Sequence, residues 1–191
     1  MTDLTSQIVS VTPQISDFDR IADFILIELE GGTLTHDPVA TRWGMTEAFD
    51  GEVPETFERA KELFRQGYWN PCRAKIRDDV GNGFHFEDLP FTAALLVVDT
   101  ALVNNGPHAA IVRLQHWLEN VEPDGRIGPL TLARARQVCG DADSRMRFVN
   151  HAFMDRREKT IQVYAGKDEG EMQGLLNRYL RAYGFALAYG S

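Results

Sequence analysis

The chain has 191 residues, of which 43% are hydrophobic and 25% are charged, and its formal net charge is −8. This composition is typical of a globular protein that can bury its own core. The acidic balance argues against nucleic acid or an anionic lipid surface as a partner. The two cysteines, Cys72 and Cys139, match no metal-ligand or disulfide spacing, so we expect two reduced thiols.

The N-terminal arm, residues 1–15, is polar and lacks the basic and apolar regions of a secretory signal. The longest apolar runs, such as FTAALLVVDTALV, are too short to span a bilayer. We therefore expect a protein that is made in the cytoplasm without stable membrane insertion. It would then reach any other compartment by a separate release route.

The first predicted helix begins after Ser16, a residue type that is favoured as an N-cap. The apolar residues of this helix recur at helical spacing and share one face: Phe18, Ile21, Ala22, Ile25 and Leu29. Gly31 and Gly32 end the helix. Residues 33–54 have no clear period and hold several glycines and prolines, which predicts a loop with a short hairpin.

Helical patterns dominate the rest of the chain, which predicts a mainly α fold. A small helix is expected at about 55–66, and an irregular stretch follows over 67–90. Residues 91–104 are apolar nearly all round, which predicts a central buried helix. The remaining predicted helices cover 108–120, a segment that begins after the EPDGRIGP turn, 143–165 and 171–188.

Several chemistries have no support in the sequence. The five histidines form neither HxxxH nor HExxH, so no metal site is expected. The phosphate-binding patterns GxGxxG and GxxxxGK[ST] are missing, and so is the GxSxG nucleophile elbow. We therefore expect no metal, nucleotide or other cofactor.

Two glutamates, Glu28 and Glu30, lie at the C-terminal end of the first predicted helix. The helix dipole disfavours a carboxylate at that end. This position and the adjacent apolar surface should raise the pKa of a glutamate, and a raised pKa suits a general acid near neutral pH. The alternative is a solvated glutamate at a frayed helix end.

Seven segments carry a family resemblance in chain order: Glu30-Gly31-Gly32, Asp37-Pro38, ATRWGMT at 40–46, YWNP at 68–71, VVDTALVNNGP at 97–107, PDGRIGP at 123–129 and GLLNR at 174–178. Together they resemble glycoside hydrolase family 108, the N-acetylmuramidases of phage-endolysin type. The resemblance covers roughly residues 18–180. In the last segment a leucine stands where the family has a tryptophan.

The resemblance implies a lysozyme-like helical domain with a short loop or hairpin region and a packed C-terminal helical part. The catalytic muramidase region would span 16–90, and a peptidoglycan-binding-like region would span 91–191. The implied reaction is hydrolysis of the β-1,4 bond between N-acetylmuramic acid and N-acetylglucosamine. Matching by motif, Glu30 rather than Glu28 takes the position of the general acid, which protonates the leaving oxygen.

The second catalytic group is where the sequence departs from the family. The family loop usually reads DPxDxGG before AT, whereas here Asp37-Pro38-Val39 runs directly into Ala40-Thr41. Asp37 is the nearest carboxylate, although it could instead form an Asx turn before the proline. Thr41 is the nearest hydroxyl and could orient a water. If the fold brings them close, the alternatives are Glu47, Asp50 and Asp99.

Four further residues are candidates for contact with the glycan. Trp43, Tyr68 and Trp69 could stack on sugar rings, because an aromatic face matches the C–H face of a pyranose. Plain core packing is the alternative for each of them. The amide of Asn105 could bind an N-acetyl group, or the residue could simply cap the preceding helix.

Two other features have mainly structural interpretations. Asp99 lies within the predicted buried helix and must have polar partners there, so we expect a hydrogen-bonding centre rather than a catalyst. A locally basic run predicts a solvated helix face, with a site for anionic peptidoglycan stems or a partner protein as the alternative: Arg145, Arg147, Arg156, Arg157 and Lys159. Asp124 and Arg126 in the PDGRIGP turn are weaker ligand candidates.

The sequence thus predicts a monomeric muramidase that acts on peptidoglycan strands in the periplasm or at the cell wall, as an endolysin or a secretion-associated enzyme. Two alternatives remain open. A lytic transglycosylase would cleave the same bond with one glutamate. A non-catalytic wall-binding or virion structural protein would bind without turnover. The shortened loop at 37–41 favours both alternatives, whereas the intact EGG, ATxxG and YWNP segments favour hydrolysis.

Overall fold

The computed structural model describes residues 15–36, 39–76, 85–103, 106–166 and 168–189. Helices form most of the regular structure over these ranges, and a small antiparallel sheet pairs β1 (Thr41–Arg42) with β2 (Met45–Thr46). The predicted mainly α fold is confirmed. Within the described ranges, every helix is too short or too polar to cross a bilayer.

The first helix begins and ends where the sequence predicts. In α1 (Asp17–Asp23), the hydroxyl oxygen of Ser16 accepts a hydrogen bond from the backbone N–H of Asp19 at 3.1 Å. The helix continues as a π-helical segment, π1 (Phe24–Glu30), and Gly31 follows with a φ of 71°. Short π-helical segments are rare and frequently lie at functional sites, and this one ends on Glu30.

The second helical run is longer than predicted. It consists of α3 (Phe57–Phe64), the π-helical segment π2 (Arg65–Trp69) and α4 (Asn70–Arg73). The prediction of irregular structure is therefore wrong for residues 67–73. Gly67 lies inside π2, and Pro71 lies in the first turn of α4, where a missing N–H is tolerated.

The predicted central helix is confirmed as α5 (Phe91–Val103), whose residues 91–101 are all buried. It packs against α6 (Pro107–Leu118), α7 (Pro129–Cys139), α9 (Glu169–Tyr189) and π2. One hydrophobic core therefore includes residues from both sides of residue 90. The division of the chain at that residue stays a prediction.

The C-terminal helices reach back to the helix that carries Glu30. Helix α8 (Ala142–Tyr164) packs along α9, and α9 in turn contacts π1. The rings of Phe24 and Phe185 stack with their centroids 3.9 Å apart. The hydroxyl of Thr92 on α5 donates to the carbonyl of Ala186 at 3.0 Å. These contacts fix α9 beside π1.

The hairpin turn consists of Trp43 and Gly44, which lie at φ angles of 50° and 74°. Two consecutive positive φ angles in a two-residue loop are typical of a type I′ turn. Glycine adopts this conformation freely, whereas a bulky residue such as Trp43 is strained in it. The predicted hairpin is thus confirmed, with backbone strain concentrated at its tip.

Both cysteines are unpaired and buried, as expected for reduced thiols. Burial raises the pKa of the Cys72 thiol and of the Cys139 thiol to about 12. Thiols that stay protonated at neutral pH are poor nucleophiles, so we assign them to core packing.

Candidate active site

Two hydrogen bonds join the glycines after Glu30 to the hairpin, one from the backbone and one from a side chain. The N–H of Trp43 donates to the carbonyl of Gly31 at 3.2 Å. The Nε of Arg42 donates to the carbonyl of Gly32 at 2.9 Å. Because the helix end and the hairpin are joined at both glycines, the turn at Gly44 lies directly beside the Glu30 side chain.

Gly44 packs so closely on Glu30 that only glycine fits. A Cβ atom at Gly44 would lie 2.7 Å from Cδ and 2.9 Å from Oε2 of Glu30. Its φ of 74° also favours glycine over any other residue. The turn therefore forms one wall against the carboxylate and restricts its position.

A cleft of about 500 Å³ lies between the hairpin, π2 and the C-terminal end of α5. Its volume falls within the range of about 300–1,000 Å³ that is usual for ligand pockets. It is lined by Gly44, Thr46, Asp50, Gly67, Tyr68, Ala101, Leu102, Val103 and Gly106. Gly44 connects the cleft to Glu30, because it lines the cleft and lies against the Glu30 carboxylate.

A second carboxylate, Asp50, lines the same cleft at the end of α2 (Glu47–Asp50). The hydroxyl of Tyr68 donates to Oδ1 of Asp50 at 3.0 Å, and the backbone N–H of Thr46 donates to Oδ2 at 2.8 Å. Burial raises the pKa of Tyr68, and the carboxylates of Asp50 and Glu30 raise it further. Tyr68 is therefore a neutral donor that lies close to both carboxylates.

On the other side, Glu30 contacts a buried set of charges that we call the arginine cluster, namely Asp99, Arg156 and Arg178. Nη1 of Arg178 donates to Oε1 of Glu30. Nη2 of Arg178 donates to Asp99 at 2.6 Å, and Nη1 of Arg156 donates to the other oxygen of Asp99, also at 2.6 Å. An unbroken chain of ion pairs thus runs from Glu30 to Arg156.

Burial of the cluster is nearly complete. The side chains of Asp99 and Arg156 are 0% exposed, that of Arg178 is 9% exposed and that of Glu30 is 20% exposed. Burial alone would raise the pKa of Asp99, but the guanidiniums of Arg178 and Arg156 outweigh burial and hold the pKa below its usual range. Asp99 is therefore an ionised structural centre, as the sequence predicts.

Glu30 is consequently held in place rather than solvated at a frayed helix end. The sequence-based expectation of apolar surroundings omitted its closest charged partner, Arg178. This ion pair restricts the position of the Glu30 carboxylate.

The remaining predicted site residues differ in their positions. Asp37 and Asn105 lie outside the described residues. The hydroxyl of Thr41 donates to the carbonyl of Val39 at 3.2 Å, and none of the described hydrogen bonds joins Thr41 to Glu30. Glu47 is exposed at the start of α2.

The predicted aromatic residues divide between the cleft and the core. Tyr68 lines the cleft. Trp43 is partly buried, and the guanidinium of Arg42 lies 4.5 Å from its ring centroid. Trp69 is only 2% exposed and makes edge contacts with Phe18 and Phe86. Core packing accounts for Trp69, because neither of its faces is available to a sugar.

Sequence reasoning missed the roles of two arginines. Arg178 was only the last residue of the GLLNR segment, and its pairing with Glu30 spans 148 positions. The sequence predicts Arg156 on a solvated face, and for this residue the prediction is wrong, because the residue as a whole, backbone included, is only 1% exposed. A usable signal existed: Arg156 continues the spacing of the buried residues Phe148, Ala152 and Thr160 on α8.

In the described part of the chain, no group of three or more His, Cys, Asp or Glu side chains is arranged to hold a metal ion. The polar groups that surround Glu30 are carboxylates, guanidiniums and a phenol. Side chains in this arrangement can perform acid–base chemistry.

Comparison with known proteins shows a likeness to a solved structure. No protein-family model matches the sequence, and no curated protein matches it. The chain is similar to a solved structure of SagA from Brucella abortus, with 26% sequence identity and a TM-score of 0.65. The match covers 91% of this chain and 95% of that one. The resemblance to glycoside hydrolase family 108 stays a prediction from the motifs.

Proposed function

We propose that this protein hydrolyses the β-1,4 bond between N-acetylmuramic acid and N-acetylglucosamine in peptidoglycan. The observation that carries the proposal is a pair of carboxylates near Tyr68: Asp50 lines the cleft, and Glu30 lies against Gly44, which lines the same cleft. Two carboxylates beside one cleft are the usual apparatus of a glycoside hydrolase. The seven motif segments supply the substrate class. The likeness to SagA supports the overall arrangement of the helices and adds no reaction.

In the proposed reaction, protonated Glu30 donates its proton to the glycosidic oxygen as the bond to the anomeric carbon breaks. A water molecule attacks that carbon, and Asp50 accepts the proton that the water loses. Both oxygens of Asp50 already accept a hydrogen bond, which fixes the orientation of the carboxylate. A single displacement by water, as proposed here, would invert the configuration at the anomeric carbon.

Asp37 and Thr41 remain proposals for the same step. Thr41 lies on β1 and could orient the attacking water, whereas Asp37 is the nearest carboxylate in the sequence. Of the three candidates for the second group, Asp50 has the strongest support, because it lines the cleft with two donors that fix its orientation.

The first test measures the turnover of purified peptidoglycan by wild type, Glu30→Gln and Asp50→Asn, with mass analysis of the released fragments. Loss of general acid catalysis typically costs about 10²–10⁴-fold in rate, and we expect losses of this order for both variants. Glu47→Gln is the matched control, because Glu47 lies on the same short helix but is exposed. Circular dichroism and thermal unfolding would establish that each variant is folded.

Each product identifies one reaction. Reducing N-acetylmuramic ends from wild type, lost in folded Glu30→Gln, support the hydrolase. Anhydro ends, which are one water lighter, would instead identify a lytic transglycosylase that uses Glu30 alone. Binding of the sacculus without release of any fragment would identify a non-catalytic wall-binding or virion protein.

The cellular setting follows from the same proposal. We propose that the protein acts as a monomer on glycan strands in the periplasm or at the cell wall, after release from the cytoplasm, either in phage lysis or in a secretion-associated role. Gel filtration and fractionation of producing cells would test the oligomeric state and the location.

A further inference from the structure

We propose that Arg178 is a positioning residue that sets the pH range in which Glu30 can donate a proton. The negative charge of Asp99 partly offsets the positive charge of Arg178 and so influences the same pH range. This inference rests on the proposed function, because it gives Glu30 the role of general acid. It assigns a role in the reaction to residues of α5 and α9, which lie outside the predicted catalytic region 16–90.

The arginine cluster has a net positive charge beside Glu30. The arginine cluster contains one carboxylate and two guanidiniums, so its formal charge is +1, and an ionised Glu30 brings the connected set to neutral. A protonated Glu30 leaves the +1 charge uncompensated among side chains that are almost completely buried. Because a buried net charge is costly, the cluster opposes protonation of Glu30.

The position of the Arg178 guanidinium is fixed by its partners. Arg178 has one nitrogen on Glu30 and another on Asp99, so the guanidinium is oriented from both ends. The second oxygen of Asp99 is held by Arg156, whose guanidinium lies 3.9 Å from the ring centroid of Tyr179. Asp99 and Arg156 cannot rotate without breaking buried ion pairs. They therefore support Arg178 rather than contact the substrate.

Other polar and charged groups near Glu30 lie on α2, on π2 and at the outer surface of π1 and α9. On the side of π2, Tyr68 is a neutral donor whose hydroxyl is engaged by the cleft carboxylate Asp50. At the outer surface of π1 and α9, Glu28 and Arg181 form their own exposed pair at 3.2 Å. Of the described cations, Arg178 is the one in direct contact with the Glu30 carboxylate.

The prediction follows from the sign of each charge. A general acid loses activity as the pH rises and the acid deprotonates, which gives the basic limb of the pH–rate profile. Arg178→Met removes a cation beside Glu30, so the basic limb should move to higher pH by about one pH unit or more. Asp99→Asn removes the anion that offsets Arg178, so the limb should move to lower pH. Loss of stability alone would produce neither of these opposite shifts.

The experiment records kcat/KM against pH on soluble peptidoglycan fragments for wild type, Arg178→Met, Arg178→Lys and Asp99→Asn. Arg178→Lys keeps the charge, so its limb should stay closer to that of wild type. Arg181→Met is the matched control, because it removes an arginine from the same helix at an exposed ion pair. A basic limb of Arg178→Met that coincides with that of wild type overturns the inference.

Two further measures keep the outcome decisive. Arg178→Met leaves Asp99 and Arg156 as a neutral pair, so it should fold even if Asp99→Asn does not, and its comparison with Arg181→Met then decides alone. The Glu30 carboxyl is also titrated by carbon-13 NMR, with Glu30→Gln for assignment. If wild type releases no fragments, the proposed function fails. An unchanged titration midpoint in Arg178→Met shows separately that the inference fails.

Discussion

Asp50 and Asp99 each accept hydrogen bonds from two groups, but the charge of those groups differs. Asp50 lines the cleft and is held by a backbone N–H and a neutral phenol. Asp99 is fully buried and is held by two guanidiniums. Equal numbers of hydrogen bonds therefore have different consequences, because neutral donors orient the Asp50 carboxylate, whereas two cations also hold the Asp99 carboxylate in its ionised form.

The largest expected effect comes from substitution of the buried carboxylate. Asp99→Asn breaks two buried ion pairs and should lower the free energy of unfolding by about 3–5 kcal/mol. Asp50→Asn loses only hydrogen bonds from neutral donors and should cost about 1 kcal/mol. Urea denaturation of both variants at pH 7 would measure the contrast. Similar losses in the two variants would show that the charge of the donors does not determine how much each carboxylate contributes to stability.

The same pair predicts a dependence on pH. The pKa of Asp99 is held below its usual range in the folded protein, so its ionisation stabilises the fold above pH about 4, the ordinary pKa of an aspartate. This contribution is lost as the pH falls below that value towards the folded-state pKa. The difference in unfolding free energy between wild type and Asp99→Asn should therefore shrink between pH 7 and pH 3. A constant difference would contradict the assignment of charge.

The next effect concerns the wall of the cleft. Gly44→Ala places a Cβ atom against the Glu30 carboxylate and should reduce turnover at least about 10-fold, because small displacements of a catalytic group are costly. Gly51→Ala is the matched control, since Gly51 also has a positive φ, 83°, but a Cβ atom added there would meet no other atom within 4 Å. The positive φ alone should cost both variants about 1–2 kcal/mol of stability. Equal turnover in the two variants would show that the contact with Glu30 is unimportant.

A smaller effect is expected at the Tyr68 phenol, which donates to Asp50. Tyr68→Phe removes the donor to Asp50 and should lower stability by about 1 kcal/mol. Turnover should fall by more than the reduced fraction of folded protein explains. Tyr164→Phe removes a similar bond, from Tyr164 to Glu171 at 2.9 Å, on the exposed surface. Turnover assays of both variants provide the measurement. Equal activity of Tyr68→Phe and Tyr164→Phe would remove Tyr68 from the site.

The smallest effect is expected at the surface of π1 and α9. Arg181→Met breaks an ion pair with Glu28 whose side chains are more than half exposed. Such pairs contribute about 0–1 kcal/mol, and we expect about 0.5 kcal/mol or less by urea denaturation. A loss comparable to that of Asp99→Asn would mean that burial does not distinguish the two sets of charges.

Local sequence signals predict the helices well because helix ends depend on nearby residues. Ser16 caps α1, Gly31 ends π1, and the apolar run from Phe91 forms the buried α5. The prediction fails around Gly67 and Pro71, because both residue types usually interrupt helices. Here a π-helical segment includes the glycine, and the proline lies where a helical turn begins again.

The sequence by itself determined that Glu30 ends an apolar helix beside two glycines and that Asp99 is buried and needs partners. It also determined the hairpin that follows Glu30. Those features depend on residues within a few positions of one another, and local patterns encode them.

Only the tertiary structure decided which partners these carboxylates have. Arg178 lies 148 positions from Glu30, and Arg156 lies 57 positions from Asp99. Their contacts depend on how α8 and α9 pack on α5 and π1, which no local pattern specifies. The physical reason is that an ion pair requires side chains to meet in space, whereas sequence periodicity defines only which face of each helix is buried.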